Sequence, residues 1–268
     1  MNQNITIAIL ITCHNRKNKT LKCLKHLSEQ NINLDIYLVD DGCTDGTSDA
    51  VKKEFPNVII IQGNGDLFWN RGMIKAWETA STTYDYDYYI WMNDDTYIYQ
   101  DSVKLLLKAS KVKNDQAIIV GASCDPQNPN KTTFGADFKH KAVYPNGELQ
   151  EIDSFGGNFV LVPKFVFHKI GMLDYFYRHS LGDIDYARRA KENNIKMYLA
   201  PKHTGTCIYD TVFPKWKNKE LPLIQRFKLL YTPLSYSNPN EFFYFYKKHE
   251  GLLSAILHYT SIHLKLFI

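Results

Sequence analysis

The sequence predicts an α/β protein built on a doubly wound, mostly parallel sheet. In the first half of the chain, short apolar runs alternate with segments of helical periodicity. The first run, residues 5–12, is apolar throughout, which is typical of a strand buried on both faces. Polar clusters follow the first, second and fourth runs, at the strand ends where such sheets bind ligands.

The elements of this half follow one another closely. The leucines after residue 16 predict a helix up to about residue 30, and Pro56 ends a short helix over residues 47–55. Further helices are predicted over residues 71–80 and around residues 105–107. The predicted strands are residues 5–12, 34–39, 58–61, 86–92 and 117–120.

Beyond Gly121 the pattern changes to that of an α+β half. Residues 144–147 (YPNG) predict a hairpin turn. Residues 154–163 predict one strand opened by a glycine pair, and residues 183–194 and 195–199 predict a helix and a strand. Helices follow from about residue 219. We therefore expect one domain over residues 1–218, with halves 1–122 and 123–218, and a helical extension over 219–268.

Composition narrows the functional class. The 268 residues are 44% hydrophobic and 14% aromatic, which suffices for a large core. The formal charge of +4 favours anionic partners but is too weak to indicate nucleic acid. Five scattered cysteines without a CxxC pair argue against a zinc ribbon or disulfide framework. With neither a signal peptide nor a spanning segment recognised, we expect a cytoplasmic protein, soluble or peripheral on the membrane.

Two acidic clusters lie at strand ends. Asn93, Asp94 and Asp95 follow a buried strand, and adjacent carboxylates there require a positive partner, such as a divalent cation holding a diphosphate. The alternative is a polar turn before a helix. Residues 40–47 (DDGCTDGT) combine acids that can bind a nucleobase or ribose with glycines that allow close approach. The alternative there is a turn capped by Asp45 or Thr47.

Residues 12–16 (TCHNR), 40–47 and 93–96 (NDDT), in this order, resemble an inverting family-2 glycosyltransferase of the A-type fold, of the rhamnosyltransferase-like kind. The resemblance covers about residues 5–210 and implies a nucleotide-binding half at 1–122 and an acceptor-binding half at 123–218. It also extends to the loop at residues 63–72. The donor-binding residues that it implies are Thr12, His14, Asn15, Arg16, Asp40, Asp41, Gly42, Gly65, Asn70, Arg71, Asn93, Asp94, Gly156 and Gly157.

The resemblance further implies a metal ion and a catalytic base. Asp95 would bind Mn²⁺ or Mg²⁺, and His203 would complete the site. Residues 179–186 (HSLGDIDY) match the acidic segment that deprotonates the acceptor, with Gly182 in place of a Glu. Asp183 is then the catalytic base, and Asp185 is the second candidate for this role. The residues alone favour the alternative, in which Asp183 caps the helix and Asp185 is an acid of the first helical turn.

The implied function is transfer of a sugar from a UDP- or dTDP-sugar to a hydroxyl of a glycan or lipid-linked acceptor, in surface polysaccharide synthesis. The alternatives are a sugar nucleotidyltransferase and a non-catalytic glycan-binding or scaffold protein. The apolar tail over residues 251–268 is compatible with a membrane interface, docking on the core or a homodimer contact.

Overall fold

The computed structural model describes residues 5–209 and 213–267. Two 3₁₀ turns lie at Lys215–Lys217 and Pro233–Ser235. In chain order the strands and helices are β1 (Ile7–Cys13), α1 (Lys17–Ser28), β2 (Asp35–Asp40), α2 (Thr47–Glu54), β3 (Ile59–Gln62), α3 (Phe68–Thr83), β4 (Tyr88–Met92), β5 (Tyr97–Ile98), α4 (Ser102–Val112), β6 (Ile118–Cys124), β7 (Thr132–Phe134), β8 (Ala136–Phe138), β9 (Lys141–Val143), β10 (Gln150–Ile152), β11 (Ser154–Phe155), β12 (Phe159–Pro163), α5 (Lys164–Ile170), α6 (Gly182–Glu192), β13 (Met197–Thr206), α7 (Leu223–Leu230), α8 (Pro239–Glu250) and α9 (Leu252–Leu264).

The central sheet runs in the order β10-β13-β6-β12-β4-β1-β2-β3. Strand β1 is parallel to both of its neighbours, β2 and β4, and β2 is parallel to β3. Strand β12 lies antiparallel between β4 and β6. The predicted α/β sheet is confirmed, and β1, β2 and β4 end at one edge.

Helices cover both faces of this sheet, which explains the continuous apolar run of β1. Ile7, Ile9 and Ile11 belong to a buried cluster with residues of α1 and α4. Ala8 and Leu10 belong to the other cluster, with residues of α3 and α6. Alternate side chains of a strand point to opposite faces, so each one of this strand is buried in one layer or the other.

Two predictions for the second half are wrong. Gly147 adopts φ +96° in a turn, but the strands on either side do not pair with each other. Strand β9 pairs with β8 in a separate three-stranded sheet, whereas β10 pairs with β13 in the central sheet. The predicted strand 154–163 is also two strands, because the chain leaves one sheet at β11 and enters the other at β12. Tertiary pairing therefore overrides the local turn signal.

Helix α8 packs on this body, and the C-terminal segment also has a buried cluster of its own. Phe245 of α8 is buried with Tyr177 and Leu181 beside α6. Leu230 of α7 is buried with Ile262 and with other residues of a second cluster. Within residues 5–209 and 213–267, no helix is both long and apolar enough to cross a membrane.

Candidate active site

The loops after β1, β2 and β4 meet at the carboxyl edge of the sheet, and we call the region around Asp95, Trp69 and Asp183 at this edge the cleft. The His14 ring donates through Nδ1 to the Asp41 carbonyl, 2.5 Å away, and accepts through Nε2 from the Asn15 amide at 3.2 Å. Asn15 Oδ1 in turn accepts from the Thr44 backbone N–H at 2.7 Å. Both side chains are exposed, so the predicted residues His14 and Asn15 lie on the rim.

Asp41 organises the loop that begins α3. Its carboxylate accepts from the backbone N–H groups of Gly65 at 2.8 Å, Leu67 at 2.9 Å and Phe68 at 3.0 Å. This arrangement anchors an acid at a helix N-terminus, where backbone donors are unpaired and the dipole favours negative charge. Gly42 packs directly beneath this loop, since a Cβ there would lie 2.8 Å from the Gly65 Cα.

Asp40 is likewise turned into the protein. It accepts from the Cys43 N–H at 2.7 Å and from the Ser48 hydroxyl. Both acids are buried, and their carboxylates accept hydrogen bonds from the backbone of the surrounding loops. Their predicted contact with a nucleobase stays a prediction.

The Asp94–Asp95 pair is neutralised by cations from the start of α1. Arg16 bridges the pair, with Nη1 lying 3.0 Å from Asp94 Oδ1 and Nη2 contacting Asp95 Oδ2. Lys19 Nζ lies 3.7 Å from the same Asp95 oxygen. Asp94 is only 3% exposed, and burial raises its pKa to about 6 despite the opposing charge of Arg16. The positive partner expected for these acids is therefore Arg16 in this structure.

Asp95 is the accessible carboxylate of the pair. Its side chain is 22% exposed, and Oδ1 has a long contact with Cys207 Sγ at 3.9 Å. Magnesium-type ions in nucleotide sites are held by one or two carboxylates together with substrate phosphates. Asp95 fits such a shared ion, although no group of three or more His, Cys, Asp or Glu in the described residues could hold a metal by itself.

His203, the second predicted metal ligand, lies beside strand β7. Its Nε2 lies 2.8 Å from the Thr132 hydroxyl, and burial lowers its pKa. Only the family resemblance implies that His203 binds a metal, and this role stays a prediction.

Asp183 stands at the first turn of α6 and faces the glycine pair. Oδ2 accepts from the Gly157 N–H and Oδ1 from the Ile184 N–H, both at 2.9 Å. Burial nevertheless raises the pKa of this carboxyl above its ordinary value. A desolvated carboxylate with an elevated pKa in a cleft is suited to general base chemistry.

Trp69 connects this carboxylate to the acidic pair, and the sequence analysis missed it. Its Nε1 donates to Asn93 Oδ1 at 2.7 Å. Its ring lies so close to Gly157 that a Cβ there would meet Trp69 Cζ2 at 2.4 Å. The signal available in the sequence was the aromatic pair Phe68-Trp69 directly after a polar, glycine-containing loop.

Three predicted residues lie outside the cleft. The Asn70 amide is fully buried and donates to the carbonyls of Asp174 at 2.8 Å and Tyr177 at 2.9 Å. Arg71 Nε donates to the Tyr175 carbonyl at 3.1 Å. Asp185 is 0% exposed and is held by donors from α6 and α8. Helix α3 begins at Phe68, earlier than predicted, so Asn70 and Arg71 project from the helix toward residues 174–177.

The remaining predicted site residues are Thr12, Gly65 and Gly156. Thr12, at the end of β1, contacts α3 where Gly72 has no side chain, since a Cβ there would lie 2.3 Å from Thr12 Oγ1. Gly65 adopts φ +85° in the loop held by Asp41. Gly156 precedes Gly157 at the break between β11 and β12.

Solved structures share this fold. TarS from S. aureus matches with TM-score 0.58 and 14% identity over 89% of this chain, which spans only 45% of the TarS chain. TarS 1-349 in complex with UDP-GlcNAc matches with TM-score 0.58 and 12% identity over 97% of this chain and 91% of that one. The mannosyltransferase PcManGT from Pyrobaculum calidifontis, in complex with GDP-Man and Mn²⁺, gives TM-score 0.59 and 13% identity over 97% and 75%.

At these identities the likeness is one of fold, and it identifies the A-type glycosyltransferase architecture. No curated protein sequence matches the chain significantly. The model of the family described as "Glycosyl transferase family 2" matches residues 8–171, which is more than half of the chain and includes β1, β2, β4 and the acidic pair. The chain therefore belongs to glycosyl transferase family 2.

Proposed function

We propose that the protein is an inverting transferase that moves a hexosyl or rhamnosyl group from a UDP- or dTDP-sugar to a hydroxyl of a glycan or lipid-linked acceptor in polysaccharide synthesis. One observation carries this proposal. The carboxylate of Asp183 is joined through Gly157, Trp69 and Asn93 to the Asp94–Asp95 pair. Because the base and the diphosphate site both adjoin the surroundings of Trp69, a sugar bound beside this ring would reach both.

In the proposed reaction, Asp183 accepts the proton of the acceptor hydroxyl as that oxygen attacks the anomeric carbon. The bond from this carbon to the diphosphate oxygen breaks on the opposite face, so the configuration inverts. The two backbone N–H groups at 2.9 Å hold the carboxylate in position without neutralising it. Its raised pKa makes it a stronger base than an exposed aspartate.

The leaving diphosphate requires positive charge. A divalent ion held by Asp95 and by the diphosphate itself would supply it. Arg16 and Lys19 already contact Asp95, so such an ion would compete with them for this carboxylate. The neighbouring structures support the choice of ligands, since TarS 1-349 is in complex with UDP-GlcNAc and PcManGT is in complex with GDP-Man and Mn²⁺.

Calorimetric titration tests the donor site. UDP, dTDP and GDP are titrated into the wild type and Asp95→Ala, with Mn²⁺ or with EDTA. We expect one of the nucleotides to bind in the presence of Mn²⁺, and EDTA or the substitution to weaken this binding by about tenfold or more, because a charged contact to the diphosphate is lost.

Two results would contradict parts of the proposal. If no nucleotide binds under any condition, the donor site is rejected and a non-catalytic scaffold is the better explanation. If binding withstands both EDTA and Asp95→Ala, the nucleotide site stands without the metal, and Arg16 with Lys19 supplies the charge. The alternative enzyme, a sugar nucleotidyltransferase, is distinguished by its reaction, because it would form the nucleotide sugar from a nucleoside triphosphate and a sugar phosphate.

A further inference from the structure

The C-terminal helices expose an unusual amount of apolar surface. Half of the large apolar side chains that are exposed in the described residues belong to residues 213–267, about a fifth of the chain. Single exposed apolar residues are common on soluble proteins, but a concentration of them in one unit marks an interaction surface.

Helix α9 has two distinct faces. Ala255, Ile262 and the following Leu266 are buried, the latter two in a cluster with Leu230 of α7. Leu253 and Leu257 are 72% and 61% exposed. These two leucines and Leu264 recur at i, i+4 and i+11, which puts them on one face about opposite Ile262. The exposed face has no partner within the described residues.

Helix α7 extends the same surface. Its Leu230 is buried, whereas Ile224 is 66% exposed and Phe227 is also exposed. The Phe227 ring lies 6.0 Å from the His263 ring of α9, so the exposed sides of the two helices adjoin. We call this the C-terminal apolar surface, and its members are Leu223, Ile224, Phe227, Leu253, Ile256, Leu257 and Leu264.

The basic charge of the chain is concentrated in the same unit. Residues 213–268 contain 8 Lys and Arg but only 3 Asp and Glu, a net charge of +5, so the preceding residues together carry −1 of the total of +4. Lys228 directly follows Phe227, and Lys265 directly follows Leu264; both lysines are exposed. Each of these two lysines therefore directly follows an apolar residue of the surface in the sequence.

We propose that the C-terminal apolar surface docks on an anionic lipid bilayer, with α9 lying in the interface. Helices that combine an apolar face with lysines bind membranes in this way, because the apolar side chains enter the acyl boundary and the lysines meet the headgroups. With 13 residues, α9 is about 20 Å long and cannot span a bilayer core of about 30 Å.

A second copy of the chain is the less favourable occupant. A two-fold interface places the same patch on both partners. It would bring two segments of net charge +5 together, and their lysines would repel each other. An anionic bilayer attracts the same lysines.

Vesicle co-sedimentation tests this inference with the full chain. The wild type is mixed with phosphatidylcholine vesicles, or with vesicles in which about a third of the lipid is phosphatidylglycerol. We expect sedimentation with the anionic vesicles, weakened by high salt because the lysine contribution is screened. The double variant Leu253→Glu with Leu257→Glu should lose about tenfold or more in partitioning.

Two further variants show whether a loss of sedimentation is specific to the C-terminal apolar surface. Ile224→Glu changes the other helix and should also weaken sedimentation, and circular dichroism shows whether each variant is folded. Val112→Glu alters a residue that is 62% exposed at the end of α4 and should leave sedimentation unchanged.

Three results would overturn the inference. The first is a wild type that does not sediment with anionic vesicles. The second is sedimentation that withstands all three glutamate substitutions in the C-terminal apolar surface. The third is a wild-type dimer in analytical ultracentrifugation that these substitutions convert to monomer, because the occupant is then a second copy. None of these readouts depends on sugar transfer, so a failure here is distinguishable from a failure of the proposed function.

Discussion

Asp183 and Asp185 show how two carboxylates in one helical turn acquire different properties. Asp183 accepts hydrogen bonds from two backbone N–H groups, and burial raises its pKa. Burial also opposes ionisation of Asp185, but hydrogen bonds from Lys248, His249 and Arg189 outweigh it and lower the pKa. The first acid is suited to take up a proton, and the second is suited to remain charged inside the protein.

Asp183→Asn tests the base. An amide cannot accept the acceptor proton, so transfer should fall by about 10²- to 10⁴-fold while nucleotide affinity is unchanged. Rates are compared by release of nucleoside diphosphate with an acceptor that supports wild-type turnover. Asp101→Asn, at a carboxylate that is 74% exposed, serves as the control and should leave the rate unchanged.

The pH dependence of the wild type gives an independent test. Asp183 must be ionised to act as a base, so kcat/KM should rise with pH through its raised pKa. The acidic limb should therefore lie above the ordinary aspartate value of about 3.9. An acidic limb at or below that value would contradict the role of Asp183.

Among the elements, the break between β11 and β12 determines the geometry of the cleft. At this break the chain passes from the small sheet to the central one, and Gly157 places its N–H against Asp183. The Trp69 ring packs against the same glycine, because nothing projects from its Cα. A sheet-to-sheet crossing thus positions the base and the aromatic residue together.

Gly157→Ala tests this packing. The added Cβ would lie 2.4 Å from Trp69 Cζ2, so Trp69 or the backbone that holds Asp183 must move. We expect a loss of about 1–3 kcal/mol in the free energy of unfolding and slower transfer. The matched change Gly135→Ala meets its nearest atoms at 3.6 Å and should be nearly neutral in both urea unfolding and turnover. Equal behaviour of the two variants would show that Trp69 accommodates the methyl group.

At the scale of the whole molecule, Asp185 joins the C-terminal helices to the catalytic body. Lys248 and His249 of α8 approach Asp185 Oδ1 at 2.7 and 2.9 Å, and Arg189 of α6 approaches Oδ2 at 2.8 Å. Glu241 of α8 also accepts from the Arg178 N–H at 3.0 Å. Helix α8 is therefore integrated with α6, and the predicted boundary at residue 218 stays a prediction.

Asp185→Asn tests this junction. Removing the charge takes the carboxylate partner from Arg189 and leaves Lys248 with Asp174 alone, so the free energy of unfolding at neutral pH should fall by about 3–5 kcal/mol in urea titrations. Because the folded pKa lies below the unfolded value, the contribution of Asp185 is present above about pH 4 and is lost as pH falls through the folded pKa.

The wild type and Asp185→Asn should therefore approach the same free energy of unfolding in acid. Asp101→Asn should stay within about 0.5 kcal/mol of the wild type. A stable Asp185→Asn protein would mean that hydrogen bonding alone, without charge, holds α8 in place.

Features that depend on local pattern follow from the order of residues alone. Continuous apolar runs identify the strands β1 and β4, because a strand buried on both faces has no polar side. Parallel strands end at one edge, so residues 12–16, 40–47 and 93–96 could be placed together from the chain order alone. The need of the acidic pair for a positive partner also followed from charge and burial.

The partner that each side chain contacts depends on how the elements are packed. Arg16 meets Asp94 and Asp95 because α1 begins beside β4, whereas Asn70 and Arg71 face away because α3 starts before them. The hairpin predicted at residues 144–147 is absent because β9 and β10 pair in different sheets. Contacts between side chains distant in sequence depend on how the elements pack, and spacing along the chain carries no information about that packing.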